Sequence, residues 1–186
     1  WSDVARFDMG LYRVDDWNAK WIHGGQLLRK EFIVEKKVAR ARAYVSGLGY
    51  YELRIDGRKV GDKVLDPGWT DYDRVVLYSV YDISEFLREG RNVVGVTLGN
   101  GRYAQELPSG LPPNLLQFVK KYEHAVPKVI LKIDLKLSDG SEERIVSDET
   151  WKVSEGPIVR NDIYNGEAYD ARLEKEGWDT PGYDDS

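Results

Sequence analysis

The sequence predicts an all-β protein, a β-sandwich or jelly roll with one or two short helices. Three observations predict it. Apolar and polar residues alternate with a period of two in several stretches, the mark of a strand with one dry and one wet face. Turn dipeptides such as Asp56-Gly57, Pro67-Gly68 and Asp139-Gly140 fall between those stretches. Eight to ten short strands fit between the turns, with room for at most two short helices.

Taken in order, residues 1–22 read as a linker leading in from a preceding domain, its aromatics packed on the sandwich. Phe7, Leu11 and Val14 would share a helical face, but Gly10 weakens a helix there. Residues 23–186 form the sandwich. Lys30–Glu35 reads as a strand, and Ala39, Ala41, Ala43 and Val45 then alternate with Arg40, Arg42, Tyr44 and Ser46, the arginines on a solvated face. Tyr51, Leu53 and Ile55 alternate with Glu52, Arg54 and Asp56, and Asp56-Gly57 tolerates the positive φ angles of a tight hairpin. Val75–Asp82 is the next strand, and Asp82–Gly90 reads as one or two helical turns capped by Asp82 or Ser84. Arg91–Leu98 is apolar enough to be buried on both faces and ends in the loop Gly99–Tyr103. Tyr103–Pro127 is irregular and proline-rich, with a short helix predicted at Asn114–Val119. Val129, Leu131, Ile133, Leu135 and Leu137 then point one way along a strand that turns back at Ser138–Ser141. Arg144–Ser147, Trp151–Ser154 and Ile158–Arg160 follow, and the tail from Gly177 reads as extended and turn-like.

Composition narrows the function. There are 27 Lys and Arg against 32 Asp and Glu, a net charge of −5, which argues against nucleic acid as the partner. Cysteine is absent, so thiol nucleophiles, disulfides and cysteine–zinc sites are excluded. No apolar run approaches a membrane span, which argues against a membrane partner, and the start has no signal-peptide pattern. With no terminal signal at either end, the chain reads as a piece of a longer protein. Six Trp and twelve Tyr supply both a sandwich core and a sugar-facing surface.

The run Gly47–Asp73 carries a Gly-Tyr-Tyr-Glu-Leu strand, a hairpin and a Leu-Asp-Pro-Gly-Trp-Thr-Asp-Tyr loop. In this it resembles the N-terminal, carbohydrate-binding-like β-sandwich of bacterial α-L-rhamnosidases, glycoside hydrolase family 78. Further matching words lie at Trp17–Ile22, Gly99–Tyr103, Asn161–Arg172 and Gly177–Ser186. The resemblance implies a galactose-binding-like sandwich within a multi-domain enzyme that releases terminal L-rhamnose. It places catalysis in a separate downstream (α/α)6 barrel, which uses two acidic residues and inverts the anomeric centre. This chain is then a non-catalytic accessory domain. Its expected partners are a rhamnose-containing carbohydrate and the parent's own barrel. In some relatives such a domain binds L-rhamnose with help from calcium; in others it is a structural support. The chain departs from the family at Asn100-Gly101-Arg102, where the usual word is Asn-Gly-Trp, and in Ala104–Pro127, which carries no family word.

The residues themselves leave several readings open. Asn100, Arg102 and Tyr103, at a strand end, supply the amide, guanidinium and aromatic face that bind sugars, but an ordinary hairpin loop has the same parts. Trp69, with Asp71 and Tyr72, reads either as a loop anchor packed on the core or as part of the same surface. Asn161 and Asp162, with nearby carbonyls, could ligate calcium through oxygen. The wider acidic cluster Asp162, Glu167 and Asp170 is read as structural, with Asp170 paired to Arg172 or another Arg and Asn165-Gly166 making a turn, and not as a catalytic pair. His23 and His124 are the only histidines and support neither a metal site nor a triad.

Overall fold

The computed structural model describes residues 9–106, 112–114, 122 and 125–186. Eleven strands lie among them: β1 (Leu27–Val34), β2 (Val38–Leu48), β3 (Tyr50–Ile55), β4 (Arg58–Lys59), β5 (Tyr78–Asp82), β6 (Gly90–Gly99), β7 (Lys128–Leu137), β8 (Glu142–Val146), β9 (Lys152–Ser154), β10 (Ile158–Asp162) and β11 (Gly166–Tyr169). They form a five-stranded sheet in the order β4-β3-β6-β1-β9, a four-stranded sheet β5-β2-β7-β8, and the separate hairpin β10-β11. Every pairing is antiparallel. The two larger sheets enclose one core, so the fold is a β-sandwich.

Alternation decides which side chains enter that core. Ala41, Ala43 and Val45 of β2, Leu131, Ile133 and Leu135 of β7, Leu53 and Ile55 of β3, and Val94 and Val96 of β6 are all buried. Truncating any of the leucines or isoleucines to Ala would cost about 2–5 kcal/mol through lost burial and the cavity left behind. Ala39, expected inside, is exposed: a bulge between Val38 and Arg40 breaks the alternation there. The β3–β4 hairpin turns at Asp56 and Gly57, with φ of 46° and 78°.

Two expected elements are shorter than predicted. Residues 75–77 are not strand, and β5 begins only at Tyr78. The chain before it is held in a turn, because Arg74 and Val75 N–H both donate to the Asp71 carbonyl and Thr70 Oγ1 donates to that of Val75. The helical turns expected over Asp82–Gly90 reduce to one turn, Phe86 N–H to Ile83 C=O at 3.0 Å. Asp82 accepts from the Ser84 N–H and hydroxyl, a local bond pattern that competes with a continuing helix. Complete short helical elements among the described residues are 3₁₀ turns at Val14–Asp16 and Ala171–Leu173. The helix predicted at Asn114–Val119 falls largely outside the described residues.

Both outer faces are covered in part by the ends of the chain. On the four-stranded sheet, Trp17 meets Tyr78 edge-on at 5.6 Å, and Lys132 Nζ donates to the Asp16 carbonyl. On the five-stranded sheet, Arg29 pairs with Asp185 and lies over Tyr183, and Arg54 Nε donates to Asp179 at 2.5 Å. The predicted burial of β6 on both faces is what this tail produces, since a Cβ on Gly95 would stand 3.0 Å from the Trp178 ring.

Candidate functional site

The end of the sandwich where β6 stops and β7 starts gathers three connections: residues 60–77, residues 100–106 and the β10–β11 turn. The first is fixed by Asp66. Its carboxylate accepts from the Tyr51, Ser79 and Tyr81 hydroxyls at 2.7, 2.8 and 2.6 Å, and its carbonyl accepts from the Tyr51 N–H. Burial opposes the charge on Asp66, but the three hydroxyls outweigh it and hold its pKa below the ordinary carboxylate value. Burial, with the Tyr81 hydroxyl and the Asp66 carboxylate, pushes the Tyr51 phenol up, so it serves as a donor. From this anchor the loop runs through Pro67-Gly68 to Trp69, which is 68% exposed. Trp69 is thus presented to solvent, and the reading of it as a core anchor is overturned.

The second connection is pinned to β10. Asn100 N–H donates to Asn161 Oδ1 at 2.6 Å, and Asn100 Nδ2 donates to the Asn161 carbonyl at 2.7 Å. Gly101 follows with φ 53°, and a Cβ there would stand 3.1 Å from the Tyr50 nitrogen, so the close approach of the two backbones needs glycine. Asn100 is therefore spent on structure, while Arg102 and Tyr103 are carried outward.

The third connection is organised by Asp162. Its Oδ1 accepts from the N–H groups of Tyr164 and Asn165 at 2.9 and 2.8 Å, and its Oδ2 accepts from the N–H of Glu106 at 2.8 Å. Burial works against its charge, but these three donors win and depress its pKa. Calcium asks for six to eight oxygens. Asn161 Oδ1 and both Asp162 oxygens already accept backbone N–H groups, and among the described residues no group of three or more His, Cys, Asp or Glu is placed to hold a metal. This donor set does not fit a calcium shell. Of the other acids in the cluster, Asp170 is paired with Arg172 at 2.6 Å.

What converges is aromatic and cationic. The Arg102 guanidinium carbon lies 5.3 Å from the Trp69 ring centroid and 5.1 Å from that of Tyr164, and Nη1 donates to the Tyr164 hydroxyl. Tyr103 packs against Tyr72 and Tyr122 at 5.4 and 5.3 Å, with Lys128 Nζ 5.8 Å from its ring. Burial, with Tyr50 and Tyr122 nearby, pushes the Tyr72 phenol up to about 12. Of the residues singled out from the sequence, Trp69 and Arg102 meet, and Tyr103 reaches Tyr72 beside them. Asp71 stays on the neighbouring turn, 3.6 Å from Arg74. Tyr164, Tyr122 and Lys128 were not singled out as sugar-facing; the one signal was the Tyr-Asn-Gly turn word at Tyr164.

Residues 36–186 match the family described as the alpha-L-rhamnosidase N-terminal domain. The chain belongs to that family. An alpha-L-rhamnosidase of Formosa agariphila is 38% identical to this N-terminal domain over the whole of the chain, which covers 22% of that relative. The solved alpha-L-rhamnosidase from Dictyoglumus thermophilum is 43% identical with a TM-score of 0.81, over 95% of this chain and 21% of its own. That of Streptomyces avermitilis, solved in complex with L-rhamnose, is 39% identical with a TM-score of 0.78, over 88% of this chain and 15% of its own. This rhamnosidase N-terminal domain thus spans about a fifth of the length of the Formosa agariphila and Dictyoglumus thermophilum relatives.

Proposed function

We propose that this chain is a non-catalytic accessory domain of an α-L-rhamnosidase-like glycoside hydrolase, and that its aromatic end faces a rhamnosyl glycan. In this reading residues 1–22 are the linker and residues 23–186 the sandwich. One observation carries it: Trp69 and Arg102, 33 positions apart in the chain, meet with Tyr164 on one solvent-facing surface. An exposed indole offers a flat face to the C–H patch of a deoxy sugar, and the guanidinium offers donors to ring hydroxyls. The Streptomyces avermitilis relative's complex with L-rhamnose supports rhamnose as the sugar to test.

The test is isothermal titration calorimetry of the 186-residue chain with L-rhamnose. Saturable binding in the millimolar range is expected, weakened roughly tenfold by Trp69→Ala. No heat at tens of millimolar sugar would sink this reading.

A second reading has its own observation. Val64, Leu65, Trp69, Val75 and Leu77 are all exposed on the single connection between β4 and β5. A loop of that composition suits docking against a further domain, such as the catalytic barrel of the longer enzyme. On this reading the domain is a brace with no ligand of its own, and the calorimetric trace stays flat.

A further inference from the structure

We infer that Arg102 makes this surface a reader of acidic glycans, its guanidinium taking the carboxylate or sulfate of a charged sugar unit. The inference rests on the sugar-facing reading above and adds the charge class of the ligand. The protein holds more acid than base, and many of its arginines face a carboxylate: Arg54 with Asp179, Arg144 with Asp134, Arg160 with Glu106, whereas Arg58 donates to the Glu85 carbonyl and lies over Phe86. Arg102 has no carboxylate at ion-pair distance among the described residues, although Asp71, Asp73 and Glu106 lie on the surrounding loops. Those three are engaged elsewhere: Asp71 with Arg74, Asp73 with the Tyr122 hydroxyl, and Glu106 with Arg160.

The geometry then favours an anion over a neutral diol. Trp69 and Tyr164 flank the Arg102 guanidinium with their rings. Nη1 is committed to the Tyr164 hydroxyl, and the Nε and Nη2 donors have no acceptor among the described residues. A pair of sugar hydroxyls would accept from those donors but would leave the charge uncompensated. A carboxylate or sulfate does both, with two-point geometry that lysine does not reproduce.

The experiment measures binding of the 186-residue chain to four probes: L-rhamnose, a rhamnose sulfate ester, a rhamnosyl-glucuronic acid disaccharide, and the neutral methyl ester of that disaccharide. The acid should bind about tenfold more tightly than its ester, because charge-assisted hydrogen bonds replace neutral ones. That advantage should shrink as salt is raised. Arg102→Gln should bind acid and ester equally, and Arg102→Lys should recover only part of the preference. If the sulfate ester outbinds rhamnose while acid and methyl ester are equal, the anion read is a sulfate. If neither charged probe outbinds its neutral counterpart while L-rhamnose still binds, the charge inference fails and the sugar surface stands. Binding of none of the four overturns both. The wild-type comparison of acid with ester needs no variant, so a misfolded Arg102→Gln protein would not obscure the result.

Discussion

Asp162 shows how one carboxylate shapes a surface without touching a ligand. It gathers the N–H groups of Glu106, Tyr164 and Asn165, and so ties the 100–106 loop to the β10–β11 turn. Asp162→Ala strands three donors in a setting where Asp162 itself is only 8% exposed. A loss of about 3 kcal/mol in urea unfolding is expected, with an unchanged m-value. Asp162→Asn keeps one acceptor oxygen and should lose less. Because these oxygens already accept backbone hydrogen bonds, adding calcium or a chelator should leave the melting temperature where it is. A calcium-dependent rise that Asp162→Asn abolishes would refute this account and restore the metal reading.

Among the elements, those whose local chemistry and long-range packing agree were legible in advance. β7 alternates from Leu131 to Leu137 and its inward set is buried on one face; Asp56-Gly57 turns because both residues adopt positive φ. Gly57→Ala should therefore cost about 1–2 kcal/mol for the left-handed backbone alone. It also places a Cβ 3.1 Å from Thr180 Cγ2, so the tail must give way as well. Chemical denaturation measures this, and a neutral Gly57→Ala would show that the turn relaxes freely. Where composition and contacts disagree, the sequence misleads. Val75 and Leu77 are apolar yet exposed, so apolar character alone extended β5 three residues too far. The expected turns after Asp82 were lost to a side-chain bond from Ser84, a competition that periodicity does not register.

At the scale of the whole molecule, the residue types of the site could be read from the chain but their meeting could not. Arg102 and Tyr164 are 62 positions apart, and the docking of β10 on the end of β6, through Asn100 with Asn161 and through Asp162 with the Glu106 N–H, brings them together. That docking, the Asp66 anchor and the Lys30–Asp148 pair all depend on ionised or hydrogen-bonded acids, which gives the fold a defined response to acid. Burial disfavours charge on Asp66, Asp148 and Asp162, but hydroxyl, lysine and backbone donors overcome it, and all three lie below the ordinary value of 3.8. A carboxylate whose pKa is depressed by folding contributes stability that is full above its unfolded value and is lost as pH falls through its folded value. Urea midpoints should therefore be flat between about pH 7 and 5 and fall progressively below about pH 4. Asp66→Asn should start lower at neutral pH and descend less steeply, because one of the titrating anchors is gone. Midpoints that hold constant down to about pH 3 would mean that these acids contribute nothing in their charged form, and the account of how the loops are held would fail with them.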